Sequence, residues 1–433
     1  MQKLEQKINS EIIMTNIADG IELVTIEDKK HNTNRISINL CIDINEEDVS
    51  ANAILPFLLS RATNKYKTTI ELQKRLSELY GASIYSDVRK LGKTQILTIS
   101  VSAVDNRFAL DDENILKECA DILIEILFNP LLNNGKLDEN LINQEKRCLI
   151  ELIESELNEK RLYAINKCQQ IMFDGTPYAI NKYGSAEKVE ALNADIILKE
   201  WNNVLKNSRV IIMAVGESNT ELLTDIFSKE FKKISRNNIK NDTIISAKRT
   251  SKINEVTERM NVNQAKLVMG FSVDKKGDDS FPETVMTALF GGTPHSRLFL
   301  NVREKKSLCY YCAASFDKYK RMLLVDCGLE EKDKDEALEE ILKQLEIIKN
   351  GEFELPELDF AKLSLINSFK TAADYQSSLE GYYLSQIAGE KIITLKEAAD
   401  KINNVTKQDV IEAASRVTLD TIYLLSGKVE EDI

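Results

Sequence analysis

Histidine is nearly missing: only His31 and His295 occur in 433 residues, one in each half of the chain. Zinc hydrolases usually draw two imidazoles from one helix, three or four residues apart, because that spacing sets both on one face. No HExxH, HxxEH or histidine-triad site can be written from this sequence. Long apolar runs are missing too, since no stretch approaches the roughly 18 residues that span a bilayer. The opening MQKLEQKINSEIIMTNIADG mixes charges and lacks the apolar core of a secretory signal, so a cytoplasmic chain is expected. An excess of positive charge is absent: 57 Lys and Arg stand against 69 Asp and Glu, a net of −12. That balance offers no broad attraction to nucleic acid or to an anionic membrane. The seven cysteines are odd in number and scattered, which implies reduced thiols packed as small apolar residues and no disulfide framework.

What is present is enough chain for two domains or more, and two halves that read alike. RISINLCIDI alternates Ile36, Ile38, Leu40, Ile42 and Ile44, the period of a half-buried strand, and KLVMGFSV opens the second half with Leu267, Met269, Phe271 and Val273. In the first half a helix with Thr68 and Glu71 spaced as a capping box leads to a strand alternating Leu97, Ile99, Val101 and Ala103. The second half repeats helix, hairpin and strand, and Asn350-Gly351 stops its next amphipathic helix. An internal duplication accounts for this, with antiparallel sheets and helices gathered on one face: α+β, twice. The basic stretch KKISRNNIKNDTIISAKRTSK at 232–252 reads as an exposed linker between an N-terminal half, 1–231, and a C-terminal half, 253–433.

The run LFGGTPHSRLFLNVREKKSLCYYC, 289–312, concentrates polar and special residues. Gly291 and Gly292 suit a helix end, Thr293 a cap and Pro294 a first turn, so His295 is expected to serve helix punctuation. Cys309 and Cys312 are expected to be packing groups, since residues i and i+3 of a strand point to opposite faces. The glycine pair lacks any phosphate-binding pattern, and neither histidine sits in a nucleophile context. Arg303 and Tyr310 remain as two hydrogen-bond donors that a helix end and a strand start can bring to one cavity. A surface arginine and a half-buried tyrosine would satisfy the same pattern.

The run LFGGTPHSRLFLNVREKKSLCYYCAASF resembles the C-terminal-half motif of the pitrilysin/insulinase family of metallopeptidases, which runs Gly-Gly, small residues, Ser-Arg-Leu-Phe, then Arg-Glu-x-x-Gly-Leu-x-Tyr. PYAINKYGSAEKVEALNADIILKEW and RVIIMAVG resemble its first half, so the likeness covers nearly the whole chain. The family's first half carries HxxEH and a downstream glutamate ligand. Laid on NAILPFLLSRAT, that motif puts Ala53, Pro56 and Phe57 where His, Glu and His should stand, and Glu151 near the downstream position. The resemblance therefore implies no metal on this chain, with zinc expected on a partner subunit. It also implies that Arg303 and Tyr310 contact substrate backbone near the scissile carbonyl. The overall likeness, including KRLSELYGASIYSDVRKLGKT, is to a zinc-less bacterial subfamily associated with aminopentanol modification of elongation factor P.

The expected function follows from that likeness. The chain would be the metal-free subunit of a heterodimeric peptidase, inactive alone, working on peptides or unfolded segments with an HxxEH-bearing homologue. The alternative is a scaffold that keeps the fold without the chemistry.

Overall fold

The computed structural model describes residues 5–7, 12–110, 113–237, 252–277, 279–389 and 391–427, so most of the expected linker at 232–252 lies outside the described residues. The chain forms two compact units, each discontinuous in sequence. The first comprises Met1–Glu154, Ile180–Thr243 and Tyr375–Lys391; the second comprises Ser155–Ala179, Ile244–Asp374 and Ile392–Ile433.

In the first unit the strand Thr33–Asp43 pairs antiparallel with Thr94–Val104 on one side and with Arg209–Gly216 on the other. Arg209–Gly216 in turn runs parallel to Ile21–Glu27, and Ser83–Leu91 closes the opposite edge. Ile36, Ile38 and Leu40 enter the core with Leu72 and Leu76 of helix Thr69–Glu78 and with helices Ile115–Phe128 and Ala194–Asn207. The alternation expected of a half-buried strand is present, but its polar face is buried as well. Ser37 and Asn39 are shielded from solvent, and Asn39 donates to the Ile211 carbonyl at 3.0 Å and accepts from Thr98. Helix Gln376–Ala388, from far along the chain, lies on the same strands. Gln376 donates to the carbonyls of Thr33 and Val215 at 2.6 and 3.0 Å, and Glu380 pairs with Arg35, both side chains largely buried. A sheet covered on both faces must satisfy its inner polar groups internally, because water cannot.

The second unit repeats this plan. Its strands run in the order Asn254–Met260, Val417–Gly427, Ala265–Val273, Met322–Leu329, Tyr311–Asp317. The first pair is parallel and the others antiparallel, as in the equivalent five strands of the first unit. The internal duplication read from the sequence is thus a duplication of topology, strand for strand. Leu267, Met269, Phe271 and Val273 pack under helices Lys334–Lys349, Leu355–Ala373 and Lys407–Ser415. On the other face helix Lys160–Met172 seats Tyr163, Cys168 and Met172 against Val268, Leu324 and Tyr423. Gly270 permits that approach: a β-carbon there would lie 3.0 Å from the Met172 sulfur. Tyr163 and Tyr423 both donate to Glu258 of the edge strand, at 2.7 and 2.6 Å.

Local signals are realised with small displacements. Thr68 accepts from the Glu71 amide at 3.2 Å, while the Glu71 carboxylate accepts from Lys67 rather than from Thr68. Gly351 takes φ +73° and ends helix Lys334–Lys349, as Asn350-Gly351 predicts.

Two outcomes follow from this construction. Trypsin should cut first within 232–252, where seven Lys and Arg gather, and the two products should co-elute on gel filtration because each unit is built from both sides of the cut. Separation of the products without denaturant would contradict this construction. Glu380→Ala strands the Arg35 charge away from water, so the unfolding midpoint in urea should fall by the equivalent of about 3–5 kcal/mol; a loss below about 1 kcal/mol would mean that the pair is not holding the helix.

Candidate functional site

The expected metal position lies in helix Val49–Leu59 of the first unit. Ala53 is fully buried and Phe57 packs against the core, so neither offers a ligand. Pro56 sits inside the helix and cannot donate a backbone hydrogen bond. Its carbonyl instead accepts from the hydroxyls of Ser60 and Ser86, both at 2.8 Å. Beside Pro56, Leu55, Leu59, Leu97, Trp201 and Val204 line a cavity of about 10 Å³, room for one water at most. These residues do not fit a zinc ion: the chemistry that HxxEH would supply has been replaced by apolar packing. Glu151 is exposed on the helix Glu139–Asn158. The buried carboxylate of that helix is Glu145, not singled out from the sequence, and it pairs with Arg61 at 2.7 Å. Among the described residues, no group of three or more His, Cys, Asp or Glu side chains is placed so that it could hold a metal ion.

The second unit does bring Arg303 and Tyr310 together. Helix Phe281–Thr287 continues into a π-helical turn, Ala288–Gly292, whose Gly291 lies directly against the strand Tyr311–Asp317. A β-carbon at 291 would stand 2.7 Å from both the Ala314 β-carbon and Leu298 Cδ1, so only glycine fits. Thr293 donates to Ala288 at 3.3 Å and closes the turn it follows, rather than capping the next helix. Ser296 takes that role, accepting from Phe299 and offering its own carbonyl to Leu300. His295 is exposed beside Phe360, in the punctuating segment where it was expected. Arg297 is anchored by Glu357 and Gln344 at 2.9 and 3.0 Å, which fixes the start of the next helical segment.

That segment becomes a second π-helical turn, Phe299–Lys305, and Lys306 bonds back five residues to Asn301. Single π-turns widen a helix and re-aim its side chains, and they recur at functional sites. Here the turn carries Arg303, whose guanidinium stacks 4.7 Å above the Phe299 ring with Glu304 at 3.5 Å. Ser307 then reverses the chain at φ +55°. This is the left-handed region that favours glycine, and the motif quoted above has glycine at the position that Ser307 occupies. Tyr310 reaches the sheet edge by donating its amide to Gly328 at 2.8 Å.

Arg303 and Tyr310 therefore line one depression of about 440 Å³, with Glu304, Ser307, Leu308, Cys309, Glu330 and Asp333. Tyr310 is 59% exposed and donates to Glu330 at 3.0 Å. That hydrogen bond, with the negative charge of Glu330 behind it, raises the phenol's pKa, so the hydroxyl keeps its proton at neutral pH and remains a donor.

Cys312 and Cys327 lie in the apolar core of the second unit and Cys309 packs against it, in the packing role expected of Cys309 and Cys312. Cys312 faces Cys327 directly across the strand pair. Cys309 lies before the strand begins, so the rule that i and i+3 point apart does not apply to it. The neighbouring Cys312 and Cys327 thiols, Cys312 first, and the Arg303 charge lower the pKa of Cys309 against the opposing effect of burial. The pKa values of Cys312 and Cys327 are pushed up, first by that contact with Cys309 and then by burial.

Each unit thus carries the same α+β plan, with apolar packing around Ala53, Pro56 and Phe57 in the first and Arg303 and Tyr310 on one depression in the second. Comparison with known proteins places the chain. Residues 191–365 match the Peptidase M16 inactive domain. A Bacillus subtilis (strain 168) protein named probable inactive metalloprotease YmfF is 28% identical over 412 residues, covering 94% of this chain and 96% of that one. A second protein of that strain, named uncharacterized zinc protease YmxG, is 22% identical over 301 residues, 68% of this chain and 72% of that one. The crystal structure of a conserved protein from Enterococcus faecalis V583 superposes with a TM-score of 0.89 at 29% identity, over 97% of this chain and all of that one. The chain is a zinc-less homologue of the pitrilysin-family (M16) metallopeptidases. Among its described residues, no helix is long and apolar enough to cross a membrane.

Because Ala53, Pro56 and Phe57 supply neither ligand nor general base, the purified chain should retain no stoichiometric zinc after dialysis against zinc-free buffer. Elemental analysis checks this; about one zinc per chain, resistant to dialysis, would move attention to other carboxylates and thiols.

Proposed function

We propose that this chain is the metal-free subunit of a two-component peptidase, in which Arg303 and Tyr310 hold peptide backbone at a site completed by a homologous HxxEH-bearing subunit. The observation that carries the reading is the convergence of the two donors on one open depression while the first unit has lost its ligand positions. The coexistence in one Bacillus strain of a relative named inactive and another named a zinc protease supports a division of labour between such chains.

The residues suit this task. Stacking on Phe299 limits the rotamers of Arg303, so its planar fork is partly ordered before a carbonyl arrives. Tyr310 holds a proton that it can redirect from Glu330 to a peptide oxygen. Zinc, when bound to the partner, supplies polarisation of the scissile carbonyl. The two side chains here bind the backbone and place donors where negative charge develops. Glu304, Glu330 and Asp333 on the rim would favour peptides carrying positive charge.

Reconstitution with a zinc-bearing homologue tests the reading, with assembly followed separately by gel filtration. Tyr310→Phe removes one hydroxyl with little change in packing and should lower kcat roughly 100- to 1000-fold. Arg303→Lys keeps the charge and loses the fork, and should also fail, whereas His295→Ala should cleave at the unmodified rate. If both site variants assemble and cleave normally, the scaffold reading replaces this one; the hydrogen bond from Tyr310 to Glu330 would then be structural.

A further inference from the structure

The three thiols around residue 309 are used by none of the roles above. We propose that Cys309, Cys312 and Cys327 form a peroxide-sensitive thiol site, in which Cys309 is the attacking sulfur and one of its two buried neighbours closes a disulfide. The proposal stands on placement and does not depend on the peptidase reading.

Cys309 is half-buried and lines the open depression, so a small oxidant can reach its sulfur. Arg303 lines the same depression and offers a positive charge to a thiolate. Cys312 and Cys327 are buried behind it, opposite each other in register, so neither meets solvent before Cys309 does. The Tyr310 amide bonds the carbonyl of Gly328, the residue after Cys327, and Cys309 packs against the apolar cluster that holds Cys312 and Cys327. An accessible thiol in a positive environment beside a protected second thiol is the arrangement that peroxide chemistry requires. The other described cysteines lack it: Cys41, Cys119 and Cys168 are buried, with pKa values raised chiefly by burial.

The chemistry balances with hydrogen peroxide as the two-electron oxidant. The Cys309 thiolate attacks one peroxide oxygen, the O–O bond breaks, and hydroxide leaves, giving Cys309 sulfenic acid. The sulfur of Cys312 or Cys327 then attacks the Cys309 sulfur; an S–S bond forms, the S–O bond breaks, and the thiol proton leaves with the hydroxyl as water. A thiol reductant returns the site to three free thiols by exchange. Oxidation also removes the negative sulfur beside Arg303, so the charge of the depression changes with redox state.

The full chain is treated with one equivalent of hydrogen peroxide at about pH 6, where ordinary thiols near a pKa of 8.5 are almost wholly protonated, then alkylated and digested with trypsin. Cleavage after Lys306 and Lys318 puts Cys309 and Cys312 on one peptide, and cleavage after Arg321 and Lys332 puts Cys327 on another. The expected product has lost two hydrogens and links Cys309 to Cys312 within the first peptide, or to Cys327 of the second; fragmentation between Tyr310 and Tyr311 tells which. Cys309→Ser should abolish the product, while Cys148→Ser, at an exposed cysteine, should leave it intact. Iodoacetamide labelling of the unmodified protein at the same pH needs no variant and should reach Cys309 at least 10-fold faster than Cys148. Oxidation of Cys148 ahead of Cys309, a disulfide joining only Cys312 and Cys327, or over-oxidised Cys309 with no disulfide would each overturn the proposal.

Discussion

Gly291 stands against the strand at Ala314 with no room for a β-carbon, and the geometry of the second unit's functional region follows from that contact. Because helix and strand touch there, the helix Phe281–Thr287 cannot run on and widens into a π-turn. The chain re-enters helix at Ser296 under the grip of Arg297 on Glu357, widens again to present Arg303, and reverses at Ser307. Each step leaves less freedom to the next, so Arg303, Cys309 and Tyr310 arrive at one depression. A side chain at 291 would displace the helix by part of an ångström and shift Arg303 relative to Tyr310.

The first unit shows the opposite use of the same architecture. Helix Val49–Leu59 buries Ala53, Leu55 and Pro56 in a nearly filled core. Large apolar groups buried there each contribute roughly 2 kcal/mol, whereas a histidine pair without its metal would leave polar atoms unsatisfied. Proline in mid-helix removes a backbone donor, and the Pro56 carbonyl is held by two serine hydroxyls. Such a helix is selected for packing. Nearby, the buried Glu145 pairs with the half-exposed Arg61 at 2.7 Å.

Much of this was legible in the sequence because it rests on local pattern. The alternation in RISINLCIDI and KLVMGFSV marked two equivalent central strands, and both occupy the same place in the same strand order. The spacing of Arg303 and Tyr310 allowed two donors to share one cavity, and both line one depression. Cys309 and Cys312 pack as expected, but that Cys327 shares their cluster, opposite Cys312 in the strand pair, follows only from strand register. Thr293 was assigned the cap that Ser296 makes, since a π-turn cannot be distinguished from an α-turn by composition.

By itself the sequence determined the class of fold and the likeness of its two halves, because periodicity and residue chemistry act over a few neighbours. Only the tertiary structure decided that each unit borrows a helix from the other end of the chain, and that the polar face of Thr33–Asp43 is buried beneath one. It likewise decided that Glu145 rather than Glu151 is the buried carboxylate, and that Cys309, Cys312 and Cys327 pack in one apolar cluster. These features depend on contacts between residues far apart in sequence, whose partners are fixed by the shape of the space left between packed elements and leave no periodic trace in the chain.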